Sequence, residues 1–89
     1  MKKDLQEIYE IFAKLKTPQR AKDFVNDMFT TGEIEQIVQR WRLIKMLHQG
    51  LPQREISKKL QISIAKVTRG SKVLQTSGKG FKLFLNNEI

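Results

Sequence analysis

The chain has 89 residues, a formal net charge of +8, a sequence pI near 10.1 and no cysteine. A chain this short has room for one domain that buries a modest fraction of its surface, so a second subunit would help it. The missing thiols exclude disulfides and thiolate metal sites and fit a reducing cytoplasm, and the short, charge-broken apolar runs exclude a membrane span.

No signal peptide is expected at the start, and neither a repeat nor a low-complexity segment is found. With only Pro18 and Pro52, and no strand-like alternation bounded by turns, the chain reads as all helix. Residues 3–15 carry Leu5, Ile8, Tyr9, Ile11, Phe12 and Leu15 at helical spacing, so one face must be buried. Thr17-Pro18 reads as an N-cap followed by proline at the first helical position, where its missing N–H costs nothing. The helix begun there bears Ala21, Phe24, Val25, Met28 and Phe29, and the two stripes predict an antiparallel pair forming core or dimer seam.

Thr30-Thr31-Gly32-Glu33 has the pattern of a capping box opening the longest helix, residues 33–48, with Gly50 as its C-terminal cap. Its apolar residues Ile34, Ile37, Val38, Trp41, Leu43, Ile44, Met46 and Leu47 cover more than half the circumference. Such a helix must be packed on several sides, which predicts a central element shared with a second subunit. Arg40 and Arg42 interrupt the run. His48, the single histidine, falls in the last turn, where a helix terminus favours positive charge; this predicts a capping or surface role.

Residues 53–75 organise the rest. Ile56/Leu60 and Ile64/Val67/Leu74 form two short apolar sets broken by Gln61-Ile62-Ser63, the outline of a helix-turn-helix. Ser57 is small where the second helix must approach, and Leu60, Ile62 and Val67 can pin the two together. Ser63 can cap the second helix, and Gln61 occupies the turn position that most often takes glycine. Two helices at a corner occur in many all-α domains, but the charge narrows the choice. Residues 1–50 hold 9 Lys+Arg against 7 Asp+Glu, and residues 51–89 hold 8 against 2. Three quarters of the excess thus lies on the motif and beyond it, where Lys58, Lys59, Lys66 and Lys72 predict a polyanion as partner. No His/Asp/Glu cluster has metal-ligand spacing and no nucleophile has an evident base, so an enzyme is not expected. Residues 76–80 read as a turn-rich link to a last element whose Phe81, Phe84 and Leu85 share a face that folds back on the core; the final Asn-Asn-Glu-Ile is expected to fray.

Gln53-Arg54-Glu55, Ile64-Ala65 and Val67-Thr68-Arg69-Gly70-Ser71, with Leu74 beyond, resemble the helix-turn-helix of the bacterial tryptophan (trp operon) repressor family. The Thr30-capped helix bearing Arg40 and Arg42 stands at a compatible distance upstream, and the similarity runs from about Phe24 to Leu85. The resemblance implies an all-α chain of about six helices forming an intertwined homodimer whose two reading heads enter successive major grooves. It implies one domain over 1–89, with dimerisation and core helices in 1–50, the motif in 51–75 and a C-terminal helix and tail in 76–89.

The implied function is a cytoplasmic DNA-binding repressor with L-tryptophan as corepressor, acting on a double-stranded operator, without membrane association or further cofactor. By the same resemblance Arg40 and Arg69, from opposite subunits, would sandwich the indole; Arg69 would meet the carboxylate near Thr30, and Gly70 would leave room for the ligand. Gln53 and Arg54, which open the first motif helix, would both contact DNA, with Arg54 reaching a guanine edge; Ile64, Ala65 and Thr68 would approach bases, and Lys58, Lys66, Ser71 and Lys72 would hold phosphates. Val73 stands where the family often has a hydroxyl for the ligand's ammonium, Asp27 is an alternative partner for it, and the loop before the motif is one residue shorter. The alternatives are a same-fold regulator with another effector or none, and a free-standing helix-turn-helix subunit of a transposase-like DNA-processing system.

Overall fold

A computed structural model describes residues 1–85; the fraying expected of residues 86–89 lies outside them. The described chain forms six helices, α1 Lys2–Ala13, α2 Pro18–Met28, α3 Thr31–His48, α4 Gln53–Leu60, α5 Ile64–Thr76 and α6 Lys79–Leu85, with no strand among the described residues. The all-α reading therefore holds. The turn-rich link is shorter than its sequence suggested, since Lys79 and Gly80 already belong to α6.

Local chemistry sets most of the boundaries. Thr17 accepts from the Arg20 N–H at 3.2 Å with Pro18 just inside α2. Thr30 and Glu33 form the reciprocal capping box, Thr30 N–H to Glu33 Oε1 at 2.9 Å and Glu33 N–H to Thr30 Oγ1 at 3.1 Å. Beyond α3, Gly50 at φ +86° donates to Leu47 O while Leu51 N–H reaches back to Met46 O, so the last carbonyls are satisfied by a left-handed glycine cap. The end of α4 repeats that pattern without glycine. Gln61 adopts φ 55°, ψ 47°, its N–H bonding Lys58 O and the Ile62 N–H bonding Ser57 O. Ser57 Oγ also donates to Ile62 O at 2.6 Å, so Ser57 ties the turn as well as allowing close approach. Ser63 then caps α5 through Lys66 N–H at 3.2 Å.

The chain divides into two compact units, residues 1–34 and 35–89, with the boundary inside α3. In the first, Phe12 of α1 meets Phe24 of α2 edge-to-face at 5.4 Å between centroids, within the range such ring pairs prefer. In the second, Leu43, Ile56 and Val67 form a buried cluster joining α3, α4 and α5, against which Met46, Leu47, Leu51, Leu60 and Ile62 pack. The pinning expected of Leu60, Ile62 and Val67 is thus present, and it is extended by α3.

Two side chains depart from the sequence reading. Ile64, grouped there with Val67 and Leu74, is 47% exposed because it is the first residue of α5, ahead of the turn that packs on α4. Phe84, expected on the inward face of α6, is also exposed. Phe81 and Leu85 are four apart and turn inward together, whereas Phe84 lies roughly 60° around the helix from Phe81.

Candidate nucleic-acid interface and effector cavity

The pairing of α4 with α5 brings the expected DNA contacts onto neighbouring surfaces. On α4, Arg54 and Lys58 are exposed one turn apart; on α5, Ala65, Thr68 and Lys72 recur at helical spacing, with exposed Ile64 and Lys66 nearby. Gln53 and Ser71 are half-buried. Thr68 Oγ1 donates to Gln53 Oε1 at 2.9 Å, linking the first residue of α4 to the middle of α5. The sequence gives each of them separately as an expected DNA contact, and only the crossing of the helices makes them partners.

The electrostatics of this surface are one-sided. Glu55, the acid of α4, is engaged by Lys59 at 3.5 Å. Among the described residues no carboxylate lies within ion-pair reach of Arg54, Lys58, Lys66 or Lys72. Cations without local acids on an exposed face are poised to exchange their counterions for phosphate.

Behind α5 lies a cavity of about 540 Å³ bordered by α3, the α4–α5 turn, α5 and Phe81 of α6. Arg40 and Arg69 both line it, as do Gly70, Val73 and Lys66. The arginines lie 29 residues apart in sequence, so no local pattern joins them; the packing of α3 on α5 does. Lys66, expected at a phosphate, therefore also borders this cavity. A Cβ on Gly70 would come within 3.0 Å of Leu43 Cδ2 and 3.4 Å of Leu47 Cδ1, so its bare backbone lets α5 approach α3 closely. Thr30 belongs to the first compact unit, as does Asp27; its hydroxyl is the N-cap of α3.

A second, more apolar cavity of about 610 Å³ is lined by Ile37, Trp41 and Phe84, and shares Arg40, Val73 and Phe81 with the first. Trp41 stacks on Phe81 with centroids 6.1 Å apart and planes 24° from parallel, while Lys45 Nζ lies 5.9 Å from the Trp41 ring. The sequence reading missed Gln36, Gln39 and Phe81 as lining residues, because their common position arises only from packing.

A family profile described as Trp repressor protein matches residues 3–89, nearly the whole chain. The chain belongs to the Trp repressor family. Its relatives include a Trp operon repressor homolog of Chlamydia caviae, 40% identical over 79 residues, 88% of this chain and 78% of that protein. The Trp operon repressor homolog of Chlamydia trachomatis serovar L2 is 36% identical with both chains covered in full, and that of Haemophilus influenzae strain PittEE is 27% identical over 79% of this chain and 70% of its own. No solved structure matches the chain at comparable stringency. Membership of the Trp repressor family makes this a DNA-binding transcription regulator of the trp type and not an enzyme. It also extends the similarity upstream of Phe24, where the motif-based resemblance began. Among the described residues no helix is long and apolar enough to cross a membrane.

Proposed function

We propose that the chain is a cytoplasmic, homodimeric repressor that binds a tryptophan-related operator and uses L-tryptophan as corepressor. The observation that supports the effector half is that Arg40 and Arg69 both border the open cavity directly behind the α5 surface, each therefore available to a ring held between two subunits. A guanidinium plane gains cation–π and stacking energy over an indole, roughly 0.5–2 kcal/mol per contact, and the guanidinium fork suits a carboxylate. In this reading Arg40 and Arg69, supplied by opposite subunits, sandwich the ring, Arg69 also meets the carboxylate near Thr30, and Gly70 keeps α5 close.

On the DNA side Arg54 reads a guanine edge, Gln53 lies beside it at the start of α4, and Ile64, Ala65 and Thr68 approach bases. Lys58, Lys66, Ser71 and Lys72 hold phosphates, which position the head without carrying sequence information. The whole chain acts as one domain, residues 1–50 supplying dimer and core helices, 51–75 the reading head and 76–89 the closing helix and tail. A ligand shifts DNA binding only through its preference for the DNA-competent arrangement of α5, and linkage makes operator DNA raise tryptophan affinity by the same factor.

Isothermal titration with L-tryptophan, with and without operator DNA, tests the proposal. Heat at micromolar to millimolar ligand, strengthened by operator and lost in Arg69→Ala, is the expected result. Specific DNA binding with no tryptophan heat would instead leave a same-fold regulator with another effector. Val73, which puts an isopropyl group on the cavity wall, is the observation favouring that second reading.

A further inference from the structure

On α5 the residues proposed to approach bases are Ile64, Ala65 and Thr68, and of these Thr68 alone has a polar side-chain atom. Direct hydrogen-bond readout by this part of the helix therefore depends on what one hydroxyl can offer. A threonine within a helix commonly gives its proton to the carbonyl four residues back, as Thr76 does to Lys72 O at 2.8 Å. Thr68 instead sends its proton out of the helix, to Gln53 Oε1 at 2.9 Å. Gln53, the first residue of α4, is half-buried, which restricts the amide that receives it.

A hydroxyl carries one proton and two lone pairs. With the proton spent on Gln53, Thr68 meets DNA as an acceptor only. In the major groove an acceptor is complementary to the exocyclic amino groups of adenine and cytosine, whereas guanine O6 and thymine O4 confront it with a second acceptor. We infer that Gln53 is a positioning residue that fixes the hydrogen-bond polarity of Thr68, so that the head selects an amino-bearing base edge opposite Thr68 and rejects a carbonyl there. The inference rests on Thr68 approaching a base, as proposed above, and deepens that reading. Gln53 keeps its amide N–H donors, which suit phosphate oxygens, so this role is compatible with a DNA contact of its own.

The test uses the full chain and a duplex that it selects from a random library. Each adenine and cytosine of the selected site is replaced in turn by hypoxanthine or uracil, correctly paired, which puts oxygen where the amino group was. At one position per half-site the change should weaken wild-type binding by about fivefold or more but Thr68→Val binding by less than about twofold, which marks the position that Thr68 faces. There the penalty should also fall below about twofold in Gln53→Met, because the released hydroxyl can turn and donate to the oxygen. It should stay near about fivefold in Gln53→Glu, whose carboxylate still takes the Thr68 proton. A purely structural role for Gln53 would lower binding to both duplexes alike and leave their ratio unchanged. Gln53→Ala gives the same readout if the methionine variant loses helicity. Tighter wild-type binding of the oxygen-bearing duplex at that position, or an undiminished penalty in Gln53→Met, would overturn the inference while leaving Thr68 a base reader. The absence of any position sensitive to Thr68→Val would remove the base-reading role of Thr68 itself, and the inference with it.

Discussion

Gln61 carries the clearest residue-level cost in the second compact unit, because it holds φ 55° where glycine is the unstrained choice. The turn is nonetheless made, with Ile62 N–H on Ser57 O and Ser57 Oγ on Ile62 O. Relief of the left-handed strain outweighs the greater chain entropy of glycine, so Gln61→Gly should stabilise the protein by about 0.5–1 kcal/mol in urea unfolding. An unchanged or lower midpoint would show that the Gln61 side chain contributes more than its backbone costs. The two classes of cation on the reading head separate at the same scale. Arg54→Ala should cost about 1–3 kcal/mol on the operator and relax specificity there, whereas Lys72→Ala should weaken all sequences alike and reduce the salt slope by about one ion. Equal losses for Arg54→Ala on operator and random DNA would place Arg54 on a phosphate.

At the scale of elements, α4 and α5 are fastened twice, once by the buried contact of Ile56 and Val67 and once by the exposed bond from Thr68 to Gln53. The exposed bond costs little to break in stability, yet it orients two side chains of the proposed DNA surface. A double-mutant cycle of Gln53→Ala and Thr68→Val should therefore give a coupling of about 0.5–1 kcal/mol in unfolding, together with non-additive losses in operator affinity. Additive losses in both would make the bond incidental. Both helices were readable beforehand because their apolar spacing and the Ser63 cap are local signals. The Gln53–Thr68 bond was not, since a separation of 15 residues becomes a contact only when two helices cross at one particular angle.

For the whole molecule the decisive quantity is apolar surface. Among the described residues five hydrophobic side chains are buried, while Phe12, Ile37, Val38 and Phe84 are all more than 40% exposed. So much open apolar surface on a small chain is what a subunit interface would cover. Sedimentation equilibrium at micromolar concentration should accordingly give about twice the 10.4 kDa chain mass, and the unfolding midpoint should rise with protein concentration. A folded monomer with a concentration-independent midpoint would remove the basis for two reading heads.

Helix identity, the capping box at Thr30, the left-handed Gln61 and the basic half of the chain were all determined by the sequence itself. Each depends on residues within a few positions of one another, or on simple counting, and neither needs a third dimension. That Arg40 and Arg69 share a cavity, that Lys66 borders it, that Val73 lies between two cavities and that Phe84 remains exposed were decided by tertiary structure alone. Those relations come from the packing of α3, α5 and α6 on one another, where a rotation of some tens of degrees about a helix axis carries a side chain from one cavity to the next.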